Sequence, residues 1–538
     1  MSPAVKDGEA GERSALVRSA SLISALTLVS RLLGLVREQA FAALLGAGAF
    51  ADAFQIAFRI PNLLRDLFAE GALSAAFVPT YARLLMQEGR ASALRFANRL
   101  FTLMSVVLAG LVLLGMPLAP LVVSALAPGY EQVPGKTEMT VLLTRVMLPF
   151  LPLVSLAAIA MGMLNAEQRY GAPALAPALF NIVAIGWAVG LWLLGFGPRE
   201  VAIGWAVGTL LGGFAQFAGQ LPDLLRLGYR FRPEWAPADA HIRAVLALMG
   251  PATLGLAAVQ VNIFLSSRFA SHEPGAVSWL NYAFRILYLP IGVFGVAAGT
   301  IATSGLARRA AQGDLAGLGQ TLRQSLRLVA FLTIPATAGL VTLRVPIVRL
   351  LYERGRFTEA DTQGTATALL FYSLGLVAYS SVKVLAPAFY ALNRPRVPLL
   401  GSLLAVGANV GVILALHERL GFRAVALGTS LGSLANIVLL LAVLERRLRV
   451  VRGHGLGPLG LRMLLAAAVM VPACLATHAG LLGWLGTRGL VAQSVVALVP
   501  ILVGVATYGG AALALRVPET HALLGLLTGR RPPAGSAA

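Results

Sequence analysis

Residues 52–84, DAFQIAFRIPNLLRDLFAEGALSAAFVPTYARL, align without a gap against residues 278–310, SWLNYAFRILYLPIGVFGVAAGTIATSGLARRA. The register sets Ala57, Phe58, Arg59 and Ile60 over Ala283, Phe284, Arg285 and Ile286, and Arg83 over Arg309. Each copy places an arginine inside an apolar run, and six apolar runs separate the two starts. Both copies therefore cross a membrane in the same direction, which predicts a parallel duplication.

Composition supports that frame. Of 538 residues, 57% are hydrophobic and only 12% charged, about half the charge of a soluble domain. Runs of the ~20 apolar residues needed to cross the hydrocarbon core recur along the chain. They lie at about 16–38, 43–66, 93–124, 138–163, 173–195, 201–222, 243–269, 278–307, 321–348, 363–390, 397–416, 422–444, 460–480 and 490–515. The fold class is therefore an all-α integral membrane protein of about 14 transmembrane helices, in two parallel six-helix lobes plus two C-terminal helices. The expected order is a tail at 1–15, an N-lobe at 16–222, a linker at 223–242, a C-lobe at 243–446, an added helix pair at 460–515 and a tail at 516–538. The first run lacks a small-residue cleavage site and reads as a retained helix.

The net charge of +20 is spread between apolar runs rather than gathered in one patch. With the N-terminus inside, the even-numbered loops hold Arg83, Arg90, Arg95, Arg99, Arg226, Arg230, Arg232, Arg308 and Arg309, among others. The odd-numbered loops hold Lys136, Arg199, Arg354, Arg356, Arg419 and Arg488. That bias, about two dozen against half a dozen, sets both termini in the cytoplasm and makes nucleic-acid binding unnecessary as an explanation. Cys474 is the single cysteine, the six histidines form no i, i+4 pair, and no Walker loop, GxSxG or HExxH occurs. Nothing in these patterns argues for an enzyme or a metal site.

The charges inside the apolar runs carry more information. SRLLGLVRE, residues 30–38, puts Arg31 and Arg37 in the first helix, ~9 Å apart along its axis and ~120° apart around it. The second run adds Asp52, Arg59, Arg65, Asp66 and Glu70, with Pro61 breaking its register; Arg285 and Lys383 follow in later runs. Asp52 and Arg59, seven apart, share a face. The set is positive overall, whereas structural ion pairs need near-neutrality. An anionic ligand is the expected counter-ion, and the planar arginine fork suits phosphate or pyrophosphate. Two parallel lobes around a cleft suit alternating access. Gly292, Gly295 and Gly299, after Pro290, read equally as a hinge or as a close-packing face, and Thr358 reads as a helix cap.

The chain resembles the MurJ/MviN family of lipid II flippases, within the multidrug/oligosaccharidyl-lipid/polysaccharide exporter superfamily. The resemblance rests on SRLLGLVRE, GAGAFADAFQIAFRIPNLLRDLFAEGALSAAFVP, MGMLNAEQRYGAPALAP, VSWLNYAFRILYLPIGVFGVAAGT, RGRFTEADT and VKVLAPAFYALNRP. It implies a cationic cavity in which arginines of helices one, two and eight engage a lipid-linked pyrophosphate. Here these are Arg31, Arg37, Arg65 and Arg285, with Asp52 as the acidic partner. Arg59 and Lys383 complete the expected substrate-binding set. It also implies a groove in the last two helices for the polyprenyl tail, and a place in the inner membrane serving peptidoglycan synthesis and cell shape. Lipid II, membrane lipids and cell-wall synthases are the expected partners.

Three departures from the family pattern stand out. Glu38 replaces an aspartate, Phe284 occupies a position that is often acidic, and the stretches NIFLSSRFAS and GANVGVILAL lack the carboxylates through which some members bind sodium. No cofactor is expected, and membrane potential is the expected driving force. Other functions remain in competition: another lipid-linked oligosaccharide flippase, a drug antiporter, or a non-transporting scaffold for cell-wall synthases. A cation antiporter needs an acidic cavity, the opposite of this charge pattern.

Overall fold

The computed structural model describes residues 25–65, 72–448 and 456–521. Asp66, Glu70 and the terminal tails lie outside them, as do the basic positions Arg449 and Arg452. Every regular element among the described residues is helical.

Among the described residues, ten segments are long and apolar enough to cross a membrane, and a bent pair, Glu359–Ser373 with Leu376–Ala391 at 46°, makes an eleventh. The expected count of fourteen is thus met only in part. The run at 16–38 begins outside the described residues, and α1 occupies 25–45. The run at 43–66 becomes α2 (Ala49–Arg65), only 17 residues long and carrying Asp52, Arg59 and Arg65. The run at 243–269 becomes α10 (Ala240–Ala270).

Two compact units divide the chain: residues up to Gln260 with the short segment Arg354–Phe357, and Val261–Glu353 with Thr358 onward. In the first unit, α3 (Ala72–Gln87) and α4 (Arg90–Leu126) follow α2. Arg83, Arg90, Arg95 and Arg99 were expected in a loop; they lie on these helices instead. At 1.5 Å per residue α4 is ~55 Å long, so its basic first turns extend past the hydrocarbon. Then come α5 (Lys136–Met147), α6 (Phe150–Ala166), α7 (Gly171–Leu193), α8 (Pro198–Ala218) and α9 (Leu221–Arg226). Apolar residues of α3, α4, α6 and the start of α10 close the core around Phe77, Tyr81, Phe96 and Ile242. The linker expected at 223–242 is strapped onto α4. Arg99 pairs with Glu234 at 2.7 Å and Asp239 at 2.6 Å, and Asn98 and Thr102 accept the Arg232 and Glu234 N–H groups.

The second unit starts within α10 and continues with α11 (Ala276–Pro290), a π-helical turn (Ile291–Val296) and α12 (Ala297–Ala311). After these come α13 (Leu315–Thr342), α14 (Arg344–Tyr352), α15 (Glu359–Ser373), α16 (Leu376–Ala391), α17 (Arg396–Leu420) and α18 (Phe422–Leu448). The last pair, α19 (Leu456–Leu485) and α20 (Leu490–Ala514), packs on α13 and α14 around Phe331, Met463, Cys474 and Tyr508.

Each unit contains a helix pair seamed by glycines four apart, a spacing that lets backbones touch in lipid. A Cβ on Gly212 of α8 would lie 2.8 Å from the Phe180 carbonyl oxygen, and one on Gly432 of α18 would run into that of Ala405. These contacts fix α7 on α8 and α17 on α18.

Candidate functional site

In the first unit the charged residues are held by aromatic packing. Phe41 of α1 meets Phe54 and Trp205 at ring distances of 5.0 and 5.2 Å. From Phe54 a chain of rings runs through Phe58 and Phe150 to Phe180, each step 5.8 Å. The Arg37 guanidinium sits 5.2 Å over Phe180, and its Nη2 donates to Glu38 Oε1 at 2.8 Å. Arg37 is thus oriented from both sides, by a cation–π face and by the neighbouring carboxylate. Arg31, nearly two turns earlier, is exposed, and Asn181 Nδ2 donates to the Ser30 carbonyl beside it at 3.2 Å.

Asp52 is fully buried, and its Oδ2 is 2.8 Å from Lys136 Nζ, itself buried. Hydropathy alone predicts an outer loop at Lys136. It is instead the first residue of α5, with its ammonium 4.0 Å from the Tyr130 ring centroid. Tyr130 donates its hydroxyl to the Asp52 carbonyl at 3.1 Å. Burial pushes the Tyr130 hydroxyl pKa well up and the Asp52 charge adds to that, while the Arg59 charge opposes it. Arg59 and Arg65 are half-buried on α2, the latter in its last turn.

The second unit holds the other two positions. Arg285 is exposed on α11, and Lys383 is exposed on α16. The π-helical turn after α11 and the start of α12 bring glycines onto α16. A Cβ on Gly295 would lie 3.0 Å from Ser380 Cα, and one on Gly299 would lie 2.7 Å from the Lys383 carbonyl oxygen. Gly295 and Gly299 therefore serve packing, whereas nothing lies within 4 Å of a Cβ on Gly292. The stretches NIFLSSRFAS and GANVGVILAL meet: the Asn409 amide donates to the Asn262 side-chain oxygen and reaches Ser266 Oγ at 3.5 Å. Thr358 caps α15 in a reciprocal box with Asp361.

Sequence reasoning missed Lys136 and the rings against Lys136 and Arg37, Tyr130 and Phe180. For Lys136 a signal existed: it is one of three lysines in a chain that otherwise uses arginine. The rings carry no such mark among 23 phenylalanines and 11 tyrosines.

Comparison with known proteins decides the family. The family model described as "Lipid II flippase MurJ" matches residues 41–504. The chain belongs to the MurJ family. A probable lipid II flippase MurJ of Rhizobium meliloti is 36% identical over 469 residues, covering 85% of this chain and 86% of that protein. One from Rickettsia prowazekii is 31% identical over 503 residues, covering 93% and 98%. A solved structure, "Lipid II flippase MurJ, inward closed conformation", superposes with a TM-score of 0.75 at 25% identity, over 94% of this chain and 99% of that one. An inward-facing MATE multidrug transporter of the MOP superfamily, at 17% identity and a TM-score of 0.67, shares the fold. Membership in the MurJ family makes this chain a membrane transporter rather than an enzyme.

Proposed function

We propose that this protein moves lipid II, the undecaprenyl-pyrophosphate-linked peptidoglycan precursor, from the inner to the outer leaflet of the cytoplasmic membrane by alternating access of its two lobes. The observation that carries the reading is the set of arginines on membrane-embedded helices of a MurJ-family chain: Arg31 and Arg37 on α1, Arg59 and Arg65 on α2, and Arg285 on α11. A guanidinium inside a membrane is costly unless it faces water or an anion. Its planar fork matches the paired oxygens of a pyrophosphate. Lys383 adds a compact positive charge, and Asp52 acts through Lys136 by holding the start of α2 in place.

Both termini lie in the cytoplasm on this reading, in keeping with the arginine bias of the even-numbered loops. The α10 and α17 stretches NIFLSSRFAS and GANVGVILAL meet through amide and hydroxyl groups, and a hard cation is held weakly without a carboxylate. Membrane potential is therefore the driving force, with no cofactor. Cell-wall synthases that use the flipped precursor are the expected protein partners.

The test is complementation of a strain depleted of its own lipid II flippase. The native chain restores growth, and the lysine variants of Arg31, Arg37 and Arg285 do not, because the bidentate geometry is lost. Growth with all three lysine variants at normal expression would sink the pyrophosphate assignment.

A further inference from the structure

The α11 helix presents an exposed arc in the second unit. Tyr282, Ala283, Ile286 and Leu287 face inward, while Phe284, Arg285, Tyr288 and Leu289 are exposed. Phe284 and Tyr288 are one turn apart with ring centroids at 6.2 Å, and Arg285 is a surface neighbour of Tyr288, three residues on. An exposed guanidinium on a membrane helix is costly against acyl chains, so the arc that carries Arg285 borders water or an anionic ligand. The rings beside it therefore border the same polar space.

Phe284 is also braced from behind. Tyr372 of α15, almost fully buried, meets it edge-on at 5.4 Å, and Tyr379 of α16 meets it edge-on at 6.5 Å. Tyr379 and the exposed Lys383 are four residues apart and share one stripe of α16. Phe284 thus lies beside the guanidinium of its own helix and against the Tyr379 ring of α16. The edge-to-face contacts fix the plane of its ring and leave more than a third of it uncovered.

Cations alone suit a bare pyrophosphate, and an apolar groove alone suits a polyprenyl chain. A rigid aromatic face beside a guanidinium suits a ligand with an anionic group joined directly to a sugar. The C–H face of a pyranose stacks on an aromatic ring while its hydroxyls bond at the rim, where the Tyr288 hydroxyl is available. We propose that Phe284 and Tyr288 form a ledge that stacks on the sugar attached to the pyrophosphate of the substrate, making them specificity-determining residues for the glycan. This rests on the lipid II reading above and deepens it. It also gives a use to Phe284, where the family pattern often has an acidic residue.

The experiment compares binding of two probes to the purified full-length protein in lipid nanodiscs: lipid II, and undecaprenyl pyrophosphate, which lacks the sugars. The native protein binds lipid II more tightly. Phe284→Leu and Tyr288→Leu each weaken lipid II binding by about fivefold to tenfold and leave undecaprenyl pyrophosphate binding unchanged. Phe284→Tyr, which keeps the ring, restores the lipid II preference. Arg285→Ala weakens both probes. Equal loss for both probes in the leucine variants would show a merely structural role and overturn the ledge, as would no loss for either. Failure of the native protein to bind lipid II at all would instead remove the functional reading on which the ledge depends.

Discussion

Lys136 Nζ and Asp52 Oδ2 sit 2.8 Å apart with side chains 2% and 0% exposed, so α5 and α2 are joined by an ion pair that water does not reach. Tyr130 closes it from two sides, by its ring over the ammonium and its hydroxyl on the Asp52 backbone. Such a pair adds little net stability over an apolar pair of the same volume, but each half is expensive to leave alone.

Lys136→Met is therefore expected to destabilise the protein by about 3–5 kcal/mol, because it leaves a buried carboxylate uncompensated. Combining it with Asp52→Leu should recover most of that loss. Thermal unfolding of the purified variants in detergent checks this; a double variant no more stable than Lys136→Met would contradict the pairing argument.

The repeat mates Arg59 and Arg285 should separate in their effects. Arg59 is half-buried on a helix with an internal proline, Pro61, and its charge acts on Tyr130, the residue that closes the Asp52–Lys136 pair. The matching position to Pro61 is Leu287, and Arg285 is exposed. Arg59→Ala should mainly reduce yield and melting temperature, whereas Arg285→Ala should abolish flipping in vesicles with a normal melting temperature. The reverse pattern would refute the assignment.

The helical membrane class and most of the apolar runs were legible because membrane burial writes itself as long uninterrupted hydropathy. The fine divisions were not. Lys136 looks like any loop cation until α5 is seen to begin on it, and the long amphipathic start of α4 reads as loop because its arginines break the apolar run. The break of α15 and α16 at Leu374 and Gly375 leaves no trace in hydropathy, since both halves are apolar. The bracing of Phe284 by Tyr372 and Tyr379 depends on contacts about 90 residues away along the chain, which no local pattern encodes.

Acid should release the strap that follows α9. Burial raises the Asp239 carboxyl pKa, but the Ile242 and His241 N–H groups and the Arg99 charge outweigh it, so the net shift is downward. A depressed carboxylate contributes stability above its unfolded pKa and loses it as pH falls through the folded value. Hydrogen exchange at residues 232–242 should therefore stay slow at neutral pH and accelerate, after correction for intrinsic rates, as pH falls below about 4. Arg99→Gln should raise the exchange already at neutral pH. A strap equally protected at pH 3 and pH 7 would contradict the linkage.

The cap of α15 offers a small, clean measurement. Thr358 accepts the Asp361 N–H at 3.3 Å while Asp361 accepts the Thr358 N–H at 2.9 Å. Thr358→Ala should cost about 1 kcal/mol, read as a lower melting temperature, and Thr358→Ser should cost far less. Equal losses for the two substitutions would assign the effect to the threonine methyl rather than the hydroxyl.

The three glycines after Pro290 should respond differently to the same added methyl group. A Cβ on Gly299 meets the Lys383 carbonyl oxygen at 2.7 Å, and backbone cannot swing aside as a side-chain tip can. Gly299→Ala must push α12 away from α16, at a cost of about 1–3 kcal/mol, and it moves the backbone that carries Lys383. Gly292 has open space around it, and alanine there relieves a helical segment of glycine's backbone entropy, worth up to about 1 kcal/mol. If the stretch were a hinge that needs flexibility at every glycine, both variants would lose transport. If it is a packing face, Gly299→Ala loses stability and flipping, while Gly292→Ala melts at or above the native temperature and still transports. Measuring both on one preparation decides between them, and the contact at Lys383 favours the second outcome.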